Sequence, residues 1–105
     1  MIIVVITCKN KEEAINIARR LLAKKLVACV KVLPPAHSIY LWPAKSGKIE
    51  EADEVMLLCK TLESKWEAIE KEVLALHSYE IPEIYAVPVS HVSKKYLEWV
   101  ENELQ

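Results

Sequence analysis

The stretch LHSYEIPEI, Leu76 to Ile84, places His77, Tyr79 and Glu80 just ahead of Pro82. An imidazole can ligate a metal through a neutral ring nitrogen or carry a proton near neutral pH. Cys8 closes the run IIVVITC and is the cysteine best placed to offer a soft metal a thiolate. His77 and Cys8 are therefore the candidate metal ligands. A competing use is architectural. No second ligand stands at a fixed spacing from His77, which suits that ring better to capping the C-terminus of its helix, where a histidinium meets the dipole and free carbonyls. Cys8 likewise suits a core position. His37 and His91 are isolated in extended segments, and Cys29 and Cys59 read as core. Pro82 forces Ile81 to be extended and makes the stretch a rigid corner.

The elements that must hold these groups follow from periodicity. IIVVIT, Ile2 to Thr7, is short and β-branched, as a buried strand requires. Asn10 and Glu13 form a capping-box pattern ahead of a helix. The apolar face of that helix carries Ala14, Ile15, Ile17, Ala18, Leu21 and Leu22, and Lys24 and Lys25 close it. Val27 to Trp42 is extended, with a bulge or strand edge at Pro34-Pro35, because neither proline donates a backbone hydrogen bond. PAKSGK, containing the single glycine Gly47, is a hairpin turn, and KIEEADEVMLLCK is the returning arm. A second helix, capped by Thr61 or by Ser64 with Glu67, buries Trp66, Ile69, Val73 and Leu76. The strand IYAVPV follows, and then a helix from about Ser93 that buries some of Tyr96, Leu97, Trp99, Val100 and Leu104. The order β-α-β-β-α-β plus a terminal helix predicts an α+β fold, a ferredoxin-like split βαβ sandwich, as a single domain over residues 1–105.

The hairpin is too long for that domain. Val27 to Trp42 would extend roughly 50 Å at about 3.3 Å per residue, whereas a domain of this size is about 35 Å wide. The overhang carries Ile39, Tyr40, Leu41 and Trp42, which are costly to leave in water, on strand edges open to another chain. A closed homo-oligomer is the expected remedy.

Bulk composition narrows the rest. The chain has 105 residues, 52% hydrophobic and 28% charged, which excludes a disordered tail. A net charge of -1 gives no global attraction to nucleic acid or anionic lipid. No apolar run is long enough to span a membrane and no leader pattern opens the chain, so a cytoplasmic setting is expected. Three cysteines without a CxxC pair do not make a disulfide scaffold. Fourteen Glu against one Asp, with twelve Lys against two Arg and a single Gly, is a balance that heat-adapted proteins often show.

Six segments, in this order and spacing, carry a resemblance: LLAKKLVACV, SIYLW, GKIEE, LLCKT, LHSYEIPEI and YLEW. Together they resemble the CutA divalent-cation tolerance family over nearly the whole chain. The resemblance implies a ferredoxin-like homotrimer whose long hairpin strands pair between subunits. It also implies a cytoplasmic location, a link to copper and other divalent-metal tolerance, no catalytic reaction and no required cofactor. The trimer is similar to that of the PII signalling proteins, whose ligands sit between subunits. By that analogy Lys60, His77, Tyr79 and Glu80, with Trp42 from an adjoining subunit, would line a cleft for a small anionic metabolite or nucleotide. Glu80 or Glu83 would face Lys60 or a neighbour's helix. The chain departs from the family in two places. Its WPAKSGK turn is about three residues longer than the usual one. The copper ligands proposed in a bacterial relative, a cysteine late in the first strand and two adjacent histidines, correspond to Ile6, Leu76 and His77, with Cys8 two residues further on. Copper or another divalent cation thus remains a candidate ligand without an intact family site.

Other activities lack their residues. Acyl phosphate hydrolysis on this fold needs an anion-cradling loop with arginine, but Arg19 and Arg20 lie mid-helix. No nucleophile stands at a readable spacing from a base. VMLLC and VACVKV lack the exposed aromatics and basic neighbours of an RNA-binding sheet.

Overall fold

β-Branched side chains favour an extended backbone, and the computed structural model, which describes residues 1–105, forms strand β1 at Ile2–Cys8. Asn10 caps helix α1, Lys11–Ala23, by accepting the Glu13 amide at 2.9 Å. The returning carboxylate of Glu13 takes the amide of Lys9 rather than that of Asn10, at 3.0 Å. Ala14, Ile17, Ala18 and Leu21 are buried, at spacings of three and four, whereas Leu22 is exposed. The buried stripe is narrower than the sequence suggests because only one sheet face lies beneath it. Lys25 closes the helix at φ 55, and the Leu26 amide reaches back to the Leu21 carbonyl at 2.9 Å.

The next three strands are β2, Cys29–Val32, β3, Ala36–Leu41, and β4, Ile49–Thr61. β2 and β3 are one arm divided at the prolines. Between the pairs Val32–Leu57 and Ala36–Glu54 the proline arm advances four residues and β4 three. That extra residue is a bulge. The turn holds positive φ at Lys45 and Gly47, and the Trp42 amide donates to the Lys48 carbonyl at 3.0 Å.

A 3-10 turn, Glu63–Lys65, leads into α2, Trp66–Leu76, and no side chain caps the helix. The Thr61 hydroxyl instead donates to the Leu26 carbonyl at 2.6 Å, tying β4 to the entrance of β2. β5, Ile84–Pro88, and α3, Lys94–Glu103, complete the chain.

The sheet runs β2-β4-β1-β5, all neighbours antiparallel, with β3 continuing along β4. This is the ferredoxin-like arrangement. Ile2, Val4, Ile6 and Cys8 of β1 and Val55, Leu57 and Cys59 of β4 alternate onto one face. They pack in one cluster with Ile17 and Leu21 of α1 and with Ile69 and Val73 of α2. Cys8 thus shares the face of Ile6. Cys29 is only half-buried, because it points to the opposite face, near Tyr96 of α3. The molecule measures 46 × 26 × 24 Å, and the far hairpin forms its long end. Ile39, Leu41 and Ile49 there are 65%, 69% and 69% exposed.

Candidate functional site

Two clusters meet where β1 gives way to α1. The first is dry. Cys8, at the end of β1, Glu13, in the first turn of α1, and His77, just beyond α2, bring a sulfur, a carboxylate oxygen and a ring nitrogen within 4.8 Å of one another. The order of elements accounts for this: β4 runs antiparallel to β1 and α2 returns along it, so the C-termini of β1 and α2 lie at the same end. The two metal candidates read from the sequence therefore converge, and Glu13 joins them.

The bonding shows what the cluster does at rest. The His77 ring is fully buried. Its Nδ1 accepts the Tyr79 amide at 3.1 Å, which leaves the proton on Nε2, and Nε2 donates to the Thr7 carbonyl at 2.7 Å. The ring braces β1 instead of capping the carbonyls of its own helix. The two oxygens of Glu13 take the amides of Lys9 and Ser78, each at 3.0 Å. Burial would raise the Glu13 carboxyl, but the hydrogen bonds from Ser78 and Lys9 outweigh it and hold the group below the ordinary carboxylate value. Burial pushes the Cys8 thiol up to about 12, and the charges of Glu13 and Glu54 add to the shift. Thiol, imidazole and carboxylate are the donor types that suit Zn(II) or Cu(II). To bind one, the cluster must lose the thiol proton, and Nε2 must give up its bond to Thr7 together with its proton, which passes to solvent or to Nδ1 in exchange for the Tyr79 amide.

The second cluster is an open cleft of about 810 Å³ on the other sheet face, between the hairpin and the segment after α2. Alternation along β3 and β4 turns Ser38, Tyr40 and Glu54 to one side, and Trp42 stands at the hairpin end. The opposite wall is Ser78 to Glu83. That wall is pinned at both ends. Ser78 bonds to Glu13, the Thr7 amide donates to the Glu83 carbonyl at 3.2 Å, and the Thr7 hydroxyl donates to the Glu83 carboxylate. Tyr79 spans the cleft, its hydroxyl donating to Glu54 Oε2 at 2.6 Å. Burial, then the bonded Glu54 carboxylate, pushes the Tyr79 phenol well up.

Of the expected cleft residues, Trp42, Tyr79 and Glu80 line it, and His77 lies behind Tyr79 with ring centroids 4.8 Å apart. Lys60 lies away from it within the chain. It pairs with Ile3 and Cys29, six residues along β4 from Glu54, or about 20 Å at strand rise. Within the single chain, Trp42 lies over the same wall as Tyr79. Glu83 faces Thr7 and not Lys60. None of the eleven lining residues is Lys, Arg or His.

Sequence reasoning missed Glu13 as a donor and Glu54, Thr7 and Tyr40 as site residues. One usable signal was the hairpin register. Counting back from Gly47 sets Tyr40 and Ser38 beside the even-numbered positions of β4, Glu54 among them. His37 is not isolated either: Asp53 Oδ1 and Glu51 Oε1 lie 2.9 and 2.7 Å from its two ring nitrogens across the hairpin.

A split βαβ sandwich with an overhanging hairpin places the chain among small ferredoxin-like proteins. The family model described as CutA1 divalent ion tolerance protein matches residues 2–103. The chain belongs to that family. It is 41% identical over 100 residues to "Divalent-cation tolerance protein CutA" of Archaeoglobus fulgidus, covering 95% of this chain and 94% of that one. It is 39% identical over 101 residues to "Protein CutA 1, chloroplastic" of Oryza sativa subsp. japonica, covering 96% of this chain and 55% of that one. The chain spans about half the length of the plant and animal relatives it matches. Among solved structures, the "Periplasmic divalent cation tolerance protein CutA from Archaeoglobus fulgidus" superposes with a TM-score of 0.94 at 40% identity, covering 100% of both chains.

Proposed function

We propose that this protein is a non-catalytic binding protein of divalent-cation tolerance that works as a homotrimer and takes up Zn(II) or Cu(II) at Cys8, Glu13 and His77. The observation that carries this reading is the convergence of those three donor atoms within 4.8 Å. Uptake releases the Cys8 proton, so affinity rises with pH. The exposed apolar residues of the overhanging hairpin support the trimer, because they need a covering surface that one chain lacks. The lining of the cleft speaks against the PII-like alternative, since an anionic ligand would meet three carboxylates and no cation. No helix is long and apolar enough to cross a membrane. The cytoplasm is the proposed setting, and three free cysteines fit a reducing compartment.

The test is an equilibrium titration of Zn(II) and Cu(II) into the assembled protein, with proton release recorded in weak buffer. Cys8→Ser and His77→Gln should each weaken binding by about tenfold or more. Glutamine can still donate to the Thr7 carbonyl, so the second variant keeps its fold. Equal affinity in parent and both variants would end the proposal.

A further inference from the structure

The two nitrogens of the His77 ring face different parts of the molecule. Nε2 is on the side of the metal donors: it bonds to the Thr7 carbonyl at 2.7 Å and lies 4.0 Å from Glu13 Oε1. Nδ1 is on the other side and accepts the Tyr79 amide at 3.1 Å. The ring is fully buried and its centroid lies 4.8 Å from that of Tyr79, so close packing keeps it from turning over. Nε2 is therefore the nitrogen that a metal meets.

A neutral imidazole carries a single ring proton, and a nitrogen that binds a metal must be the one without it. Here that proton sits on Nε2. Once Nε2 ligates, the proton belongs on Nδ1, because a neutral ring parts with it only at strongly alkaline pH. Nδ1 then changes from acceptor to donor, and two N–H groups face each other across 3.1 Å. Such a pair repels, and the Tyr79 amide loses its acceptor. The chain on either side is anchored elsewhere. The Ser78 amide donates to Glu13 Oε2, not to the Oε1 that lies near Nε2, and Thr7 holds Glu83 through its amide and hydroxyl. The displacement therefore falls on Tyr79, whose hydroxyl bond to Glu54 Oε2, at 2.6 Å, tolerates little movement.

Building on the metal site proposed above, we infer that His77 is a tautomer relay: metal uptake at Cys8, Glu13 and His77 turns Nδ1 into a donor, expels the Tyr79 amide and releases Tyr79 from Glu54. The thiol proton leaves to solvent, whereas the imidazole proton stays on the ring and changes nitrogen. Glu54 belongs to the part of β4 that pairs with β3, so occupancy of the β1–α1 corner is transmitted to the hairpin. The coupling is reciprocal, and whatever loosens Tyr79 tightens metal binding.

The experiment titrates Zn(II) into the isotope-labelled, assembled full-length protein and follows the His77 ring nitrogens and the Tyr79 amide by NMR, with amide hydrogen exchange alongside. Before Zn(II) is added, the ring proton should be on Nε2. At saturation Nε2 should be the bound nitrogen and Nδ1 should carry the proton. The Tyr79 amide should shift and exchange about tenfold faster or more, while Ser78 keeps its protection. Calorimetry supplies the reciprocal arm. Tyr79→Phe removes the bond to Glu54 and should tighten Zn(II) several-fold, whereas a tyrosine that only supports the fold would give no gain. The NMR arm uses the parent protein and stands even if that variant folds poorly. Saturable Zn(II) binding with the ring proton still on Nε2, or with an unchanged Tyr79 amide, overturns the relay and leaves the metal site standing. Equal or weaker Zn(II) affinity in folded Tyr79→Phe does the same. Failure of the parent to bind Zn(II) at all overturns both.

Discussion

The two halves of β4 share one strand and almost nothing else. From Val55 to Thr61 the strand is flanked by β1 and β2 and covered by α1 and α2, and Leu57 and Cys59 are fully buried. From Ile49 to Glu54 it pairs only with β3, and Ile49 is 69% exposed. The far half is the more acidic, with Glu50, Glu51, Asp53 and Glu54, yet Ile49 is as apolar as Leu57 and stays exposed, so side-chain type alone does not set burial. The number of layers above and beside the strand does. The near half builds the domain, and the far half builds a cleft wall and a surface that a second chain could cover.

This contrast is broken most sharply by truncation. Leu57→Ala should cost about 2–5 kcal/mol in denaturant unfolding, from lost transfer energy and an unfilled cavity. Leu41→Ala should stay within about 0.5 kcal/mol in an isolated chain, as exposed substitutions usually do. A large loss from Leu41→Ala that depends on protein concentration would instead report the proposed assembly. Ile39→Glu with Leu41→Glu should then reduce the light-scattering mass from three copies of the 12.0 kDa chain to one.

Tyr79→Phe comes next. It strands a carboxylate that is only 8% exposed, and the loss of a hydrogen bond to a charged group costs about 1.5–3 kcal/mol. Thermal unfolding would show it, and Glu54→Gln in the same background should recover part of the loss. If Tyr79→Phe is neutral, the cleft wall is not held by Glu54.

A third check uses alkaline pH. The thiols of Cys8 and Cys59 lie near 9.0 when unfolded and are pushed by burial up to about 12 when folded. Between those values the folded state holds protons that the unfolded state has released. Their contribution is whole below pH 9.0 and is lost as pH rises towards about 12. Cys8→Ala should flatten that alkaline loss in pH-resolved unfolding. The smallest effect belongs to the far hairpin. His37 is raised above 6.5 by the hydrogen bonds it donates to the Glu51 and then the Asp53 carboxylate, so its contribution fades as pH rises through the folded value. Solvent screens the group, and His37→Ala should change unfolding across neutral pH only slightly.

Much of this molecule was legible because its cues are local. The Asn10 cap, the spacing of Ile69 and Val73, the break at Pro34-Pro35 and the turn at Gly47 each act within a few residues. The site was legible only in part. His77 stood out by its type, but its two hydrogen-bond partners decide its role, and Thr7 lies 70 residues away. Glu54 looked like one more hairpin acid until the register set it under Tyr79. Lys60 lies six residues along β4 from Glu54, a separation that residue types alone do not reveal.

Residue order by itself determined the elements, the sandwich and the surplus length of the hairpin, since periodicity, caps and breakers operate over one or two turns of chain. Only tertiary structure decided which polar groups meet. Such meetings depend on strand register and on the one-residue bulge before Ala36, and a single step of register moves every side chain to the opposite face.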